Sequence, residues 1–316
     1  MFRRYGRSSN KVIILINPGW SNPGDGLAAL GVQSSLHALG FKNLYQYSIE
    51  DHALWIQLFS PDEIHAVVLA GTPWIWDRCH DSEKFRCLIE VRKRLHRAKW
   101  IMAGGGASFL AQHIQSNFTD AAVDLSVFSD FQICITRDFV ARNMLQKVNK
   151  NCLLLPCPST ILPVAIDARF SRVEKTEKRL FEHDLRNEFL APYLDSEFLT
   201  QYEKTCADGV LRGFRPTAWG CRDEATEPNE ILLRLASCRE FLTSRVHAAI
   251  SSFSLGAEGK LFACDSRTFT AMHLGIEVCG PYTELLKRAF IDQELFETDG
   301  EKTRQLYMRI LNDALN

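Results

Sequence analysis

The chain has 316 residues, 46% of them hydrophobic and 24% charged, the composition of an ordinary globular protein and length for about two domains. Its 37 Lys plus Arg balance 38 Asp plus Glu, so no basic excess points to nucleic acid. No run approaches the roughly 18 apolar residues that span a bilayer.

Residues 1–10, with Arg3, Arg4 and Arg7, read as a flexible basic tip. Val12-Ile-Ile-Leu-Ile16 is too short for a signal core and reads as the first buried parallel strand. Asn17 to Gly26 is a loop dense in Gly, Pro and Asn, and a helix is expected over 27–39, closed by Gly40. A strand, a Gly-rich loop and a helix outline a ligand-binding arrangement, without the glycine spacing of a P-loop or a dinucleotide fingerprint. Asp25 either caps that helix or faces substrate. A strand at 43–47 and a helix at 51–59 come next. Ala66-Val-Val-Leu-Ala70 then runs into Gly71-Thr-Pro-Trp-Ile-Trp-Asp77, where Trp74 and Asp77 either wall a pocket or pack a corner. The helix at 82–97 is basic along one face and reads as solvated. A strand at 100–103 precedes Gly104-Gly-Gly106. A helix is expected over 121–128, then a strand at 131–135 ending in Thr136-Arg137-Asp138, a helix to 145 and a strand at 153–155. This alternation makes 11–160 one doubly wound, Rossmann-like α/β domain.

Residues 161–316 are expected to form a second such domain, short or irregular in its first part. Glu174 to Leu190 reads as a charged helix, 195–206 as another, and 212–223 as a loop around at most one short strand. A helix at 229–237 feeds a strand at 239–243. The stretch Phe241-Leu-Thr-Ser-Arg-Val-His-Ala-Ala-Ile250 then reads as strand, tight turn and helix. Open α/β sheets bind ligands where strand C-termini face helix starts. Arg245 adds a fixed cation there, and His247 a group able to change charge near neutral pH. Together they suit a small polyanion and a proton transfer; the plainer alternative is a structural ion pair and a capping histidine. A strand at 260–264 leaves through Asp265-Ser-Arg267, a strand is expected at 276–278, and helices at 282–290 and 300–315 complete this half. Ten cysteines form neither a CxxC pair nor a zinc-type quartet, so free thiols in a reducing cytoplasm are expected.

Taken in order, these motifs resemble the polysaccharide pyruvyl transferase family. Asn22-Pro-Gly-Asp25 is similar to its N-G-D loop. Val67-Val-Leu-Ala-Gly71 stands for its strand and glycine turn, and Thr136-Arg-Asp138 for its R-D motif. Cys157-Pro-Ser159 occupies the place of D-P-A, and Ser244-Arg-Val-His-Ala-Ala249 matches S-R-L-H-A-A. The chain departs from the pattern at Ala70-Gly71-Thr72-Pro73, where the family carries a GGG-type turn, and at Cys157, which replaces Asp. The resemblance implies a GT-B-like fold, two Rossmann-like domains facing across a cleft. It also implies phosphoenolpyruvate as donor, placed as a pyruvate ketal on a saccharide hydroxyl. Arg137, Arg245, Val246 and His247 would then bind the donor. Apart from the family, the chemistry of that donor assigns His247 the proton delivered to C3 or to the leaving phosphate and Asp25 or Asp77 the proton of the sugar hydroxyl, with Trp74 on the acceptor side. No metal and no cofactor besides the donor are expected, and no nucleic-acid partner; a homo-oligomer is left open. The residue types suit that donor on their own, since guanidinium groups hold carboxylate and phosphate by bidentate hydrogen bonds. Two other functions stay open: a GT-B-like transferase of a nucleotide sugar, with Asp265 on the ribose, and a non-catalytic binding protein that keeps the fold.

Overall fold

A computed structural model describes residues 11–182, 194, 196–219 and 227–316. The expected basic tip, Cys221 and the C-terminal part of the helix expected at 174–190 lie outside these residues. Strands β1 (Val12–Ile16), β2 (Leu44–Tyr47), β3 (Ile64–Ala70), β4 (Pro73–Ile75), β5 (Lys99–Ala107), β6 (Ile133–Thr136) and β7 (Cys152–Leu154) build the first sheet. Its order is β2-β1-β3-β5-β6-β7, with β4 paired to the C-terminal end of β5. Strands β8 (Glu177–Glu182), β9 (Arg215–Ala218), β10 (Cys238–Thr243), β11 (Glu258–Phe262) and β12 (Glu277–Cys279) build the second, in the order β12-β11-β10-β8-β9. All pairings are parallel. The helices used below are α1 (Pro23–Ala38), α2 (Glu83–Arg94), α3 (Phe139–Leu145), α4 (Ser196–Leu211), α5 (Pro228–Ala236), α6 (Val246–Ser254), α7 (Thr268–Met272) and α8 (Gly300–Leu315). The protein is thus α/β, with two Rossmann-like units facing across a cleft in a GT-B-like arrangement.

β1 and β3 are buried on both faces, which is why they read as continuous apolar runs. Ile13, Leu15, Ala66 and Val68 meet Val32 and Leu36 of α1 on one face; Ile14, Ile16, Val67 and Leu69 meet Trp74 and Phe85 on the other. The same face that receives α1 also receives Tyr307, Leu311 and Leu315 of α8. The last helix therefore packs on the first sheet and not in the second half, as its sequence position suggests. Its apolar stripe at i, i+4 and i+8 fits either sheet in sequence, and the face of β1 and β3 beside α1 is the one that buries it. Tyr307 secures it by donating from its hydroxyl to Pro156 O at 3.0 Å.

Four local expectations change. α1 begins at Pro23, four residues early, because proline at the first helical position has its φ preset and needs no N–H partner. β5 does not end at 103 but continues through Gly104-Gly-Gly106 to Ala107. Over 121–128 only Ser126–Phe128 makes one 3-10 turn, since the Asp124 carboxylate accepts the Ser126 N–H at 2.9 Å and competes with helix. Glu177–Glu182 is strand β8, placed between β10 and β9, where Leu180 and Phe181 bury despite the charged residues around them. The second sheet is accordingly complete, and its irregular look in sequence comes from charge alternation on a strand.

The two halves touch through an aromatic contact, Phe139 to Phe269 at 4.7 Å between ring centroids. A reciprocal pair adds to it: Phe109 N donates to Ser266 Oγ at 2.8 Å, and Ser266 N donates to Phe109 O at 2.9 Å.

Candidate active site

Residues that follow β1, β3 and β6 meet residues that follow β9, β10 and β11, so strand C-termini of both sheets line one cleft. Asn17 organises the first of them. Its Nδ2 donates to Ala70 O at 2.6 Å and Asp25 O at 3.0 Å, while its Oδ1 accepts from Gly19 N at 2.7 Å. That ties the start of α1 to the end of β3. Asn22 holds the N-cap position of α1 and donates from Nδ2 to Asp25 Oδ2 at 2.9 Å. Thr72 Oγ1 donates to the same oxygen at 3.2 Å. Asp25 is therefore not the cap but a first-turn residue aimed at the cleft. It is 3% exposed, and its Oδ1 has no hydrogen-bond partner among the described residues. Burial pushes this carboxyl above the usual carboxylate range, against the opposing pull of Arg137 and Lys84.

Arg137 leaves β6 directly into the cleft and is 2% exposed. Its Nη1 donates to Gly71 O at 2.5 Å and to His247 Nε2 at 2.7 Å, and its Nε has no partner among the described residues. The close fit needs Gly106, where a Cβ would stand 2.5 Å from Arg137 Nε. The neighbouring Asp138 serves the backbone, accepting from Ala141 N at 2.8 Å to cap α3 and from Ala107 N at 2.9 Å.

From the second sheet, Thr243 Oγ1 accepts Arg245 N at 2.9 Å and sharpens the turn into α6. Arg245 is the N-cap residue and Val246 and His247 the first helical residues, while Ala248, Ala249 and Ile250 are buried and hold the helix down. The half-buried His247 backs onto Gly24, where a Cβ would lie 2.4 Å from its Nδ1. A guanidinium has donors only, so at 2.7 Å His247 Nε2 must be an acceptor. The imidazole is then neutral, with its proton on Nδ1. Burial first, then the charges of Arg137 and Arg267, hold its pKa well below the ordinary histidine value.

Asp25, Arg137, Arg245, Val246 and His247 thus converge on one narrow cleft that is partly open to solvent. Trp74 and Asp77 do not line it. Trp74 is fully buried, with Lys84 Nζ 4.0 Å above its ring. Asp77 accepts Ala122 N at 2.9 Å and lies 3.9 Å from His113 Nε2. Both pack a corner, because β4 continues in the direction of β3, parallel to the end of β5, and carries Trp74 into the core. The cleft also contains Asn22, which opens the Asn22-Pro-Gly-Asp25 motif, and Trp219 and Arg267, to which the sequence assigned no role. Arg267 had a signal: like Arg137 and Arg245, it stands between a strand C-terminus and a helix start. Among the described residues no group of three His, Cys, Asp or Glu is arranged to hold a metal ion. No helix of the described chain is long and apolar enough to cross a membrane.

No family model matches the chain, and no curated protein does. Solved structures similar in fold include an uncharacterized protein of Klebsiella pneumoniae, at 15% identity over 90% of each chain with a TM-score of 0.46. MnaA of S. aureus in complex with UDP aligns at 9% identity over 96% of this chain and 97% of that one, with a TM-score of 0.48. UDP-GlcNAc 2-epimerase of Methanocaldococcus jannaschii aligns at 9% identity over 96% and 99%, with a TM-score of 0.46. Likenesses this distant carry no statement about chemistry, and the two-sheet fold rests on the strand order itself.

Proposed function

We propose that the protein transfers pyruvate from phosphoenolpyruvate to a saccharide as a ketal. One observation carries the reading: Arg137, Arg245, Arg267, His247 and Asp25 meet in one cleft at the strand C-termini of both sheets. Guanidinium groups from opposite walls suit a small ligand with a phosphate and a carboxylate. Asp25 and His247 have environments that push a carboxyl up and an imidazole down, the pattern of an acid and a base set against each other.

That pairing reverses the acid and base roles expected from the sequence. His247 accepts a hydrogen bond from Arg137 and so begins as a base, able to take the proton of the attacking hydroxyl. Asp25, with an unpartnered buried oxygen, begins as the acid that protonates C3. The sugar oxygen bonds to C2 as C3 becomes a methyl group, giving a phosphorylated tetrahedral adduct. Loss of phosphate leaves an oxocarbenium at C2, and a second hydroxyl closes the ketal. One hydroxyl proton replaces that given by Asp25, and the other leaves with phosphate, so the step needs no oxidant or reductant.

A nucleotide-sugar donor is less well served. Asp265, the acidic residue available for a ribose, is taken by Arg267, which donates to both of its carboxylate oxygens. The test is carbon-labelled phosphoenolpyruvate with a panel of saccharides. Label in an acid-labile, carboxylate-bearing saccharide product with matching phosphate release supports the proposal. Turnover of a nucleotide sugar with none from phosphoenolpyruvate would replace it.

A further inference from the structure

The loop after β11 carries a constellation that the donor residues above do not account for. Asp265 is 2% exposed and accepts from three atoms of one residue: Arg267 N at 2.8 Å, Nε at 3.0 and 2.9 Å, and Nη2 at 2.6 Å. Bidentate pairing of this kind fixes the plane of a guanidinium as well as its position. Between the two, Ser266 is fully buried and makes the reciprocal bonds with Phe109 of the first half. Arg267 thus comes from the second sheet, is anchored to the first and lines the cleft. Its charge bears on Asp25 of the far wall and on His247 of its own.

We propose that Arg267, clamped by Asp265 and pinned through Ser266, is a further donor-binding guanidinium, and that it makes the cleft select a ligand with two separate anionic groups over one with a single phosphate or carboxylate. The inference rests on the donor-site reading above. Arg137, Arg245 and Arg267 bring three guanidinium groups to the lining of one cleft, and the Asp265 carboxylate fixes the last of them there. A phosphate alone reaches guanidinium groups on one side of the cleft only. A phosphate joined through a short carbon frame to a carboxylate answers both sides. Because Arg267 is already held by Asp265 and Ser266, little side-chain freedom is lost when it binds.

The test is calorimetric binding of phosphoenolpyruvate, inorganic phosphate and pyruvate to the full-length wild type and to Arg267→Gln. Arg267→Gln strips a buried carboxylate of its partner and threatens the fold, so the double variant Asp265→Asn with Arg267→Gln is measured beside it. The expected result is wild-type preference for phosphoenolpyruvate over phosphate and pyruvate. In either folded variant, phosphoenolpyruvate affinity falls about tenfold or more while phosphate affinity changes much less. Wild-type binding of phosphoenolpyruvate that both variants retain in full would overturn the role of Arg267 and leave the donor site standing. An equal loss for phosphoenolpyruvate and phosphate would overturn the selectivity. Wild type that binds none of the three, or binds a nucleotide sugar instead, would overturn the donor reading and this inference with it.

Discussion

Arg137, at the end of a first-sheet strand, donates to His247 Nε2, in the first turn of a second-sheet helix, across 2.7 Å. The contact spans the cleft and fixes the histidine as a neutral acceptor. An anion entering between them competes for the guanidinium and offsets the charges that keep His247 unprotonated. Donor binding is thus expected to raise the His247 pKa and to take up protons. Calorimetry in buffers of different ionisation enthalpy reads this directly, and binding without buffer dependence at any pH would contradict it. Arg137→Met should also raise the His247 pKa without ligand, measured by imidazole chemical shifts, since it removes a cation that now lowers it.

Two glycines set the tolerance of this contact. A Cβ at Gly24 would stand 2.4 Å from His247 Nδ1, and one at Gly106 would stand 2.5 Å from Arg137 Nε. Both neighbours are side chains, so the fold can yield at a cost of about 1–3 kcal/mol. Gly24→Ala and Gly106→Ala should therefore remain folded, with a lowered thermal midpoint, yet lose most donor affinity. Donor affinity equal to that of wild type in both would show that the positions of His247 and Arg137 are not critical.

Asp25→Asn keeps the shape and the contacts of Asn22 and Thr72 with this side chain while removing the transferable proton. Turnover should fall about 10²–10⁴-fold, with donor binding little changed. Retained turnover would remove Asp25 from the proton transfers.

Away from the cleft, His273 is fully buried, with Nδ1 2.6 Å from Glu294 O and Phe290 and Phe296 around the ring. Burial pushes its pKa down from 6.5 to about 4. In that window the unfolded chain binds the extra proton, so stability rises with pH from about 4 to 6.5 and is lost on acidification. The loss from this one group is about 3 kcal/mol at most. His273→Phe should flatten the pH dependence of the denaturation midpoint between pH 4 and 6.5, and an unchanged slope would contradict the assignment.

The first Rossmann-like unit was legible because β1, β3 and β5 are buried on both faces and α1 ends just before Gly40. Arg137, Arg245 and His247 were legible for a related reason: each stands where a strand hands over to a helix. Arg267 follows the same rule and was passed over because its Asp265 neighbour drew attention to a ribose. For Trp74 and Asp77 the sequence allows a pocket wall or a packed corner, and the corner follows from the pairing of β4, only three residues long, with the end of β5, a contact distant in sequence. The strand at 177–182 and the packing of α8 depend on partners distant in sequence, which local propensity does not encode.

The most direct measurement is calorimetric titration of phosphoenolpyruvate into the wild type and Arg245→Ala, with and without saccharide present. We expect saturable one-site binding by the wild type, abolished by Arg245→Ala with the fold intact. Absence of wild-type binding at millimolar ligand in both conditions, or undiminished binding by Arg245→Ala, would contradict a donor site in this cleft.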